Sequence, residues 1–370
     1  LQASFQVITF ISVVGLLGCG NVTQPQHSQN GQVAVRAVYG GIPGEGIAGF
    51  QLADHGVDAV FIGSGSITEE RINWVQSQGA RIYAEFNTLH RAEYLENHPD
   101  AAPIGTDGMP SPAPHGWQGI CPSHPGYRAQ RMLEFRKLLR NFPLDGVWLD
   151  YHHSHASWER EVPVMPDTCF CQRCLQQFTA DTSIQLPETS QESAQLILSR
   201  HAPEWTRWRC DLLTDWVREF RSILDEERPE ALLGTFHNPW SDEDFDGARI
   251  KKLAIDLKGQ ADYIDVFSPM PYHARFGHVG DLGWISEQTS WLGEHLGIEG
   301  SGDAETQIWP IVQLSDWGEE VAESEIPAII DHGLRAPSTG VIVFAWGSLK
   351  KQPAKVEELW RTFRLLAEAK

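Results

Sequence analysis

From residue 33 onward, short runs of β-branched and other apolar residues alternate with stretches whose apolar positions recur every three or four residues. The short runs cover 33–39, 57–63, 80–86, 146–151, 232–237, 263–270, 308–314 and 340–346. Each is too short for a helix, and most are almost continuously apolar, as strands buried on both faces are. The stretches between them read as helices. Ser66-x-x-Glu69 has the form of a capping box and predicts a helix over 67–78, with Gly79 as its stop. Trp205, Trp208, Leu212, Leu213, Trp216, Phe220, Ile223 and Leu224 form one apolar stripe, and Val356, Leu359, Trp360, Phe363 and Leu366 form another. Most tryptophans on these stripes are expected in the core, and Trp148, inside a strand, is expected to pack against a helix. An open doubly wound sheet would carry a Gly-rich phosphate loop after an early strand, and the chain has none. The expected fold is α/β, a single (β/α)8 TIM barrel with long loops after strands three and four, at 87–127 and 152–204. Both loops leave the C-terminal ends of strands, the face on which barrels build their sites.

Length changes this picture little. A chain of 370 residues has room for two or three domains, but a barrel runs past 250 residues as one. The division expected is a leader over 1–18, a polar tether over 19–32 and a barrel over 33–370. The formal charge of −20 argues against nucleic acid or an anionic membrane surface as the general partner, because both call for a basic footprint.

The leader reading rests on an apolar run over 7–17, too short to span a bilayer but the length of a signal-peptide core. Leu16-Leu17-Gly18-Cys19 resembles the lipobox of bacterial lipoproteins, in which the cysteine is lipidated; no Lys or Arg precedes the run. The alternative is a buried N-terminal strand. The leader implies an exported protein, held to a bacterial membrane through Cys19 alone, at the periplasmic or cell surface.

Side chains at the C-terminal ends of the strands share one mouth. Here they include Tyr39, Glu85, Asn87, Asp150, His152, His153, His237, Asn238, Tyr272, Gln313, Asp316, Trp317 and Trp346. Aromatic faces stack on sugar rings, amides and imidazoles bond hydroxyls, and paired carboxylates can act as acid and base. Asp150 stands out, since an ionisable group directly after a buried apolar strand must be paired or functional; capping or a structural ion is the other reading. Trp117, Trp240, Trp317 and Trp346 are candidate stacking platforms. Tyr151-His152-His153-Ser154-His155 could instead hold a catalytic metal, although barrel metallohydrolases place a His pair after strand one, where this chain has Tyr39-Gly40-Gly41.

Cys169-x-Cys171-x-x-Cys174 places three thiols in one tight loop, suited to tetrahedral zinc; disulfides at that spacing are strained. Cys121 is the expected fourth ligand, with Cys210 or a histidine as alternatives, and disulfide or free thiols remain open. The metal would be structural, stapling the two long loops. No organic cofactor is expected.

Asp145-Gly146-Val147-Trp148-Leu149-Asp150-Tyr151, with Cys121-Pro122-Ser123-His124-Pro125-Gly126-Tyr127-Arg128 before it and the cysteine motif after it, resembles bacterial barrel families known as "hypothetical glycosyl hydrolases". The 264–272 segment resembles the sixth-strand region of related glycosidases. The arrangement is also similar to the family 42 β-galactosidases, which carry a Cys-x-Cys-x-x-Cys zinc cluster after strand four. Those enzymes use glutamates after strands four and seven, whereas this chain offers Asp150, then Gln313 and Asp316. An aspartate after strand four is instead similar to the nucleophile of α-amylase-like and α-galactosidase-like barrels.

The resemblance implies a glycosidase acting on an oligo- or polysaccharide. The expected catalytic set is Asp150 as nucleophile or base and Asp316 as a general acid with a raised pKa. Glu85 is the second candidate partner, in a supporting role, and the 242–246 acidic run is read as a solvated loop. Two other readings stand beside it: a non-catalytic carbohydrate-binding barrel, and a metal-dependent hydrolase centred on the 152–155 histidines.

Overall fold

The computed structural model describes residues 34–300 and 306–369. Cys19, the leader and the whole tether lie outside them. Nine strand segments are present among the described residues: β1 (Val35–Tyr39), β2 (Ala59–Gly63), β3 (Arg81–Asn87), β4 (Gly146–Asp150), β5 (Leu232–His237), β6 (Val266–Pro269), β7 (Gln307–Ile308), β8 (Ile311–Gln313) and β9 (Gly340–Phe344). All pairs are parallel, in the order β7-β6-β5-β4-β3-β2-β1-β9-β8. β7 and β8 are two pieces of the seventh barrel strand, interrupted at Trp309-Pro310, where Pro310 has no N–H to give. Trp309 N–H donates to Phe267 O at 3.0 Å on one side, and Ile342 N–H donates to Pro310 O at 2.9 Å on the other. Hydrogen bonding therefore runs around the whole curl, and nine segments fill eight barrel positions. The expected α/β barrel is what the chain forms.

Side chains alternate across each strand, so every second residue points into the barrel. Trp148 does so, which corrects the expectation that it packs on a helix. Its indole stacks on Trp309 at 5.6 Å, meets Phe61 and Tyr83 at 4.8 and 4.7 Å, and donates to Ser268 Oγ at 3.0 Å. Those partners come from four other barrel positions. Gly234 admits the ring, since a Cβ there would lie 2.1 Å from Trp148 Cε2. This aromatic layer is the floor beneath the mouth. Two residues on, the same parity carries Asp150 inward above it.

The helix after β2 spans Glu69–Ser77 and is capped by Thr68, whose Oγ1 accepts from Arg71 N–H at 3.2 Å, two residues later than the capping-box reading places it. Both expected stripes are buried helix faces, on Ala202–Glu227 and Pro353–Glu368. The loop after β4 carries two extra helices, Gln172–Thr182 and Ser190–Arg200. They enclose a satellite core separate from the barrel's, with Phe170, Phe178, Trp205 and Trp208 around four cysteines. No helix among the described residues is long and apolar enough to cross a membrane.

Candidate active site

Three carboxyl groups meet at the mouth. Glu85 rises from β3 and Asp150 ends β4, and the two side chains hydrogen-bond each other. Tyr39 Oη donates to Glu85 Oε2 at 2.7 Å, and Tyr151 N–H donates to Asp150 Oδ1 at 2.7 Å. The third, Glu159, comes from the long loop after β4 and lines a small cavity together with Asp150, Trp117, Tyr151, His153 and Phe236. Sequence reasoning missed Glu159. The available signal was its place beside Trp158 in a loop leaving the C-terminal face, which says nothing about where the loop folds back.

The electrostatics differ among the three. Asp150 is 8% exposed. Its burial, then the neighbouring charges of Glu85 and Glu159, hold its carboxyl well above the usual range. Burial also raises Glu85, against the bond from Tyr39, which favours its anion. Burial pushes Glu159 up to about 7, with Glu85 adding to the rise and the Arg275 guanidinium opposing it.

Arg275 ties this arrangement together. Its Nε donates to the Glu159 carbonyl at 2.9 Å, its Nη1 to the Trp317 carbonyl at 3.3 Å, and its own N–H to Gln313 Oε1 at 3.0 Å. The guanidinium also lies 4.7 Å from the centre of the Trp317 ring. Tyr39, Phe236, Tyr272, Trp317 and Phe344 wall the mouth, with Tyr39 stacked on Phe344 at 5.6 Å and Tyr272 tilted against it at 4.8 Å. Trp117 is 37% exposed and stacks on Tyr151 at 5.2 Å, forming the outer edge of the Asp150–Glu159 cavity.

Several expected site residues are engaged elsewhere. Asp316 faces the last helix, where Lys355 Nζ and Gln352 Nε2 each lie 2.6 Å from its carboxylate and Val321 N–H donates at 2.9 Å. Partial burial would raise its pKa, but these three donors outweigh it and hold the carboxyl below the usual range, the reverse of what a general acid needs. Asn87 spends its amide on the backbone of His90, and Gln313 on Arg275 N–H and Ser315 O. His152 bridges Thr88 Oγ1 and Leu213 O, while His153 bonds Ser154 O and accepts from Trp158 Nε1. His155 accepts from Gly119 N–H and bonds Pro112 O. These nitrogens are engaged in structural hydrogen bonds, burial pulls His152 and His153 down to about 4, and the group of possible metal ligands found among the described residues does not include these histidines. His237 has the outward parity of β5, packs against Phe267 and bonds Asn238 O, while Asn238 is buried with its side-chain amide unpartnered. Trp240 is buried against Phe245 and Trp158.

Cys121, Cys169, Cys171 and Cys174 come together as a buried group whose sulfurs all lie within 4.8 Å of one another. Cys121 Sγ is 3.6 Å from both Cys171 and Cys174 Sγ. A tetrahedron with Zn–S bonds of about 2.3 Å has edges of about 3.8 Å, so the four thiols fit a metal of that size, and they are far too separated for disulfides. Ile104 N–H donates to Cys169 Sγ at 3.3 Å, the kind of outer bond that orients a metal thiolate. Cys210 lies in the barrel core, apart from the group.

No protein-family model matches the chain, and no curated protein matches it either. Solved structures do. The PgaB (BpsB) glycoside hydrolase domain from Bordetella bronchiseptica superposes with a TM-score of 0.65 at 14% identity, over 89% of this chain and 99% of that one. The β-galactosidase of the psychrophilic Marinomonas ef1 gives 0.63 at 12% identity over 90% of this chain. The polyextremophilic β-galactosidase of the Antarctic haloarchaeon Halorubrum lacusprofundi gives 0.64 at 12% over 91%. The chain spans about three fifths of each β-galactosidase, 60% and 58%. At these identities the likeness is one of fold, a barrel shared with glycoside hydrolases.

Proposed function

We propose that the protein is a glycoside hydrolase acting on an oligo- or polysaccharide, with Asp150 as general acid and Glu159 as the opposing carboxylate. One observation carries this reading: Asp150 and Glu159 line the same aromatic-walled cavity, where burial and Glu85 raise both carboxyls and the cation of Arg275 opposes the rise at Glu159. Environments that push two carboxyls apart divide acid from base. Asp150 protonates the glycosidic oxygen as the bond to the anomeric carbon breaks. Glu159 supplies the negative charge opposite, as nucleophile or as base toward water. Glu85 is too close to Asp150 to stand across a glycosidic bond from it, since catalytic pairs lie roughly 5–9.5 Å apart; it keeps the proton on Asp150.

The four cysteines would hold a structural zinc ion between the two long loops, where they fit one. Export and lipid attachment at Cys19 are part of the same proposal and rest on the lipobox-like sequence. The direct test is reducing-sugar release from a polysaccharide panel by the protein, Asp150→Asn and Glu159→Gln. Loss of at least about a hundredfold in each variant, at unchanged melting temperature, supports the assignment. Activity retained in either one removes that residue from it.

A further inference from the structure

A second cavity, larger than the one that holds Asp150 and Glu159, lies among the described residues. It is a groove of about 890 Å3 between the loop after β1, the end of β2 and the last helix. Ligand pockets run roughly 300–1,000 Å3, so its size is that of an extended ligand. The groove borders one of the carboxyls through Gly63. Gly63 lines it and sits opposite Glu85 in the β2–β3 register, where a Cβ would lie 4.0 Å from Glu85 Oε2. Without a side chain there, nothing from Gly63 stands between Glu85 and the groove. Gly40, next to Tyr39, lines the same wall.

The lining matches the chemistry of a sugar chain. Trp346 is half-buried, its ring braced on buried Trp360 at 5.4 Å and its edge set against Gly41. A Cβ on Gly41 would come within 2.9 Å of Trp346 Cδ1, so the glycine allows the indole to stand where it does. Around this platform are long polar side chains: Lys350, Glu357, and Arg71 held by Glu45 at 2.6 Å. Aromatic surface for C–H faces with mixed donors and acceptors for hydroxyls is the lining that a run of pyranose units requires.

We infer that the groove beside Gly63 is a saccharide-binding cleft that carries further units of the substrate chain away from the carboxyls, with Trp346 as its stacking platform. The inference rests on the glycosidase reading and narrows it to substrates of several units. The probes are aryl monoglycosides and gluco-, galacto-, manno- and N-acetylglucosamino-oligosaccharide ladders of one to six units, in α- and β-linked forms. They are given to the protein, Trp346→Ala and Trp346→Phe. The expected result is a kcat/KM that climbs at least tenfold with chain length in the protein. In Trp346→Ala the loss should be at least tenfold greater on the longest substrate than on the monoglycoside, with most of it restored in Trp346→Phe. Equal loss on short and long substrates, or none, overturns the cleft and leaves the glycosidase reading standing. If no substrate is turned over, that reading falls, and calorimetric binding of the same ladders decides the cleft. Chain-length-dependent binding that Trp346→Ala abolishes supports it, and binding that is absent or insensitive to Trp346→Ala overturns it.

Discussion

The phenol of Tyr39 donates to Oε2 of Glu85 at 2.7 Å, joining the first barrel strand to the third directly beside Asp150. The bond opposes the burial that raises the Glu85 carboxyl. A donor to Glu85 favours its anion, and that anion drives the shared proton onto Asp150, where a glycosidic oxygen could receive it. Hydrogen bonds to charged groups are worth about 1.5–3 kcal/mol, equivalent to about ten- to a hundredfold in rate. Tyr39→Phe keeps the ring and its stacking on Phe344 but removes the donor. We expect kcat to fall by about that factor with KM within about threefold, measured by steady-state hydrolysis. An unchanged kcat would mean that Tyr39 does not set the proton's position.

Asp316 and Glu159 exchange their expected importance. Asp316 is bound by Lys355, Gln352 and Val321 N–H, so Asp316→Asn removes a structural ion pair and leaves the mouth intact. Lys355 is buried, and its ammonium would face a neutral amide oxygen in place of a carboxylate, with the Leu314 carbonyl as its other acceptor, a loss of about 1–3 kcal/mol of stability. The expected outcome is a lowered melting temperature with kcat within about threefold of the parent. Glu159→Gln should do the opposite, with at least about a hundredfold lost from kcat and little change in melting temperature. A hundredfold loss in Asp316→Asn at full folding would restore it to the acid's role.

The framework was legible because strands buried on both faces announce themselves as short apolar runs, and all eight expected runs overlap observed strands. Asp150 was legible for a related reason: a carboxylate closing the buried run of β4 has no cheap structural use. What the chain did not disclose was direction. Glu85 and His237 both lie at strand ends, but parity turns Glu85 in to the mouth and His237 out toward the helices, and a nearly all-apolar strand carries no alternation from which to read that. Asp316 misled because its partner Lys355 is 39 residues further on, across the barrel wall. Glu159 was invisible because only the folded loop after β4 brings it back over Asp150. The cysteines were the opposite case: Cys121 joins the three-thiol loop because both long insertions lie on the same side of the mouth.

The 3.6 Å separations of Cys121 from Cys171 and Cys174 lead to a metal prediction. Protein purified without chelator should contain about one zinc per chain by elemental analysis, and Cys171→Ser should contain much less. Structural zinc contributes on the order of 10 kcal/mol in small zinc peptides, and here its loss should fall on the satellite core. Trp205 and Trp208, stacked at 4.9 Å in that core, would report it as a fluorescence change. The carboxyls belong to a different part of the fold, so brief mild chelation of folded protein should leave hydrolysis unaltered, whereas refolding in chelator should fail. Less than a tenth of an equivalent of zinc in the purified protein would refute the metal assignment.

The last prediction concerns pH, and its sign follows from Arg275. Glu159 must be ionised to act opposite Asp150, so the ascending limb of the rate profile should track its pKa of about 7. The groups facing it are Arg275 from the loop after β6, Glu85 from β3, Asp150 and Tyr151 from the end of β4, and Tyr272 after β6. Glu319 also approaches the Arg275 guanidinium, at 3.7 Å. Arg275 is the only cation in this set, and its charge favours the Glu159 anion. Arg275→Gln therefore raises the Glu159 pKa, and the ascending limb should move to higher pH, with the rate below pH 7 falling more than the rate above it. Arg275→Lys should return part of the shift, because it keeps the charge without the fork that bonds the Glu159 and Trp317 carbonyls. A purely structural role would lower the whole profile in both variants without displacing it. A limb that stays in place in Arg275→Gln while kcat drops at every pH would identify Arg275 as a loop tie alone and detach the pH dependence from Glu159.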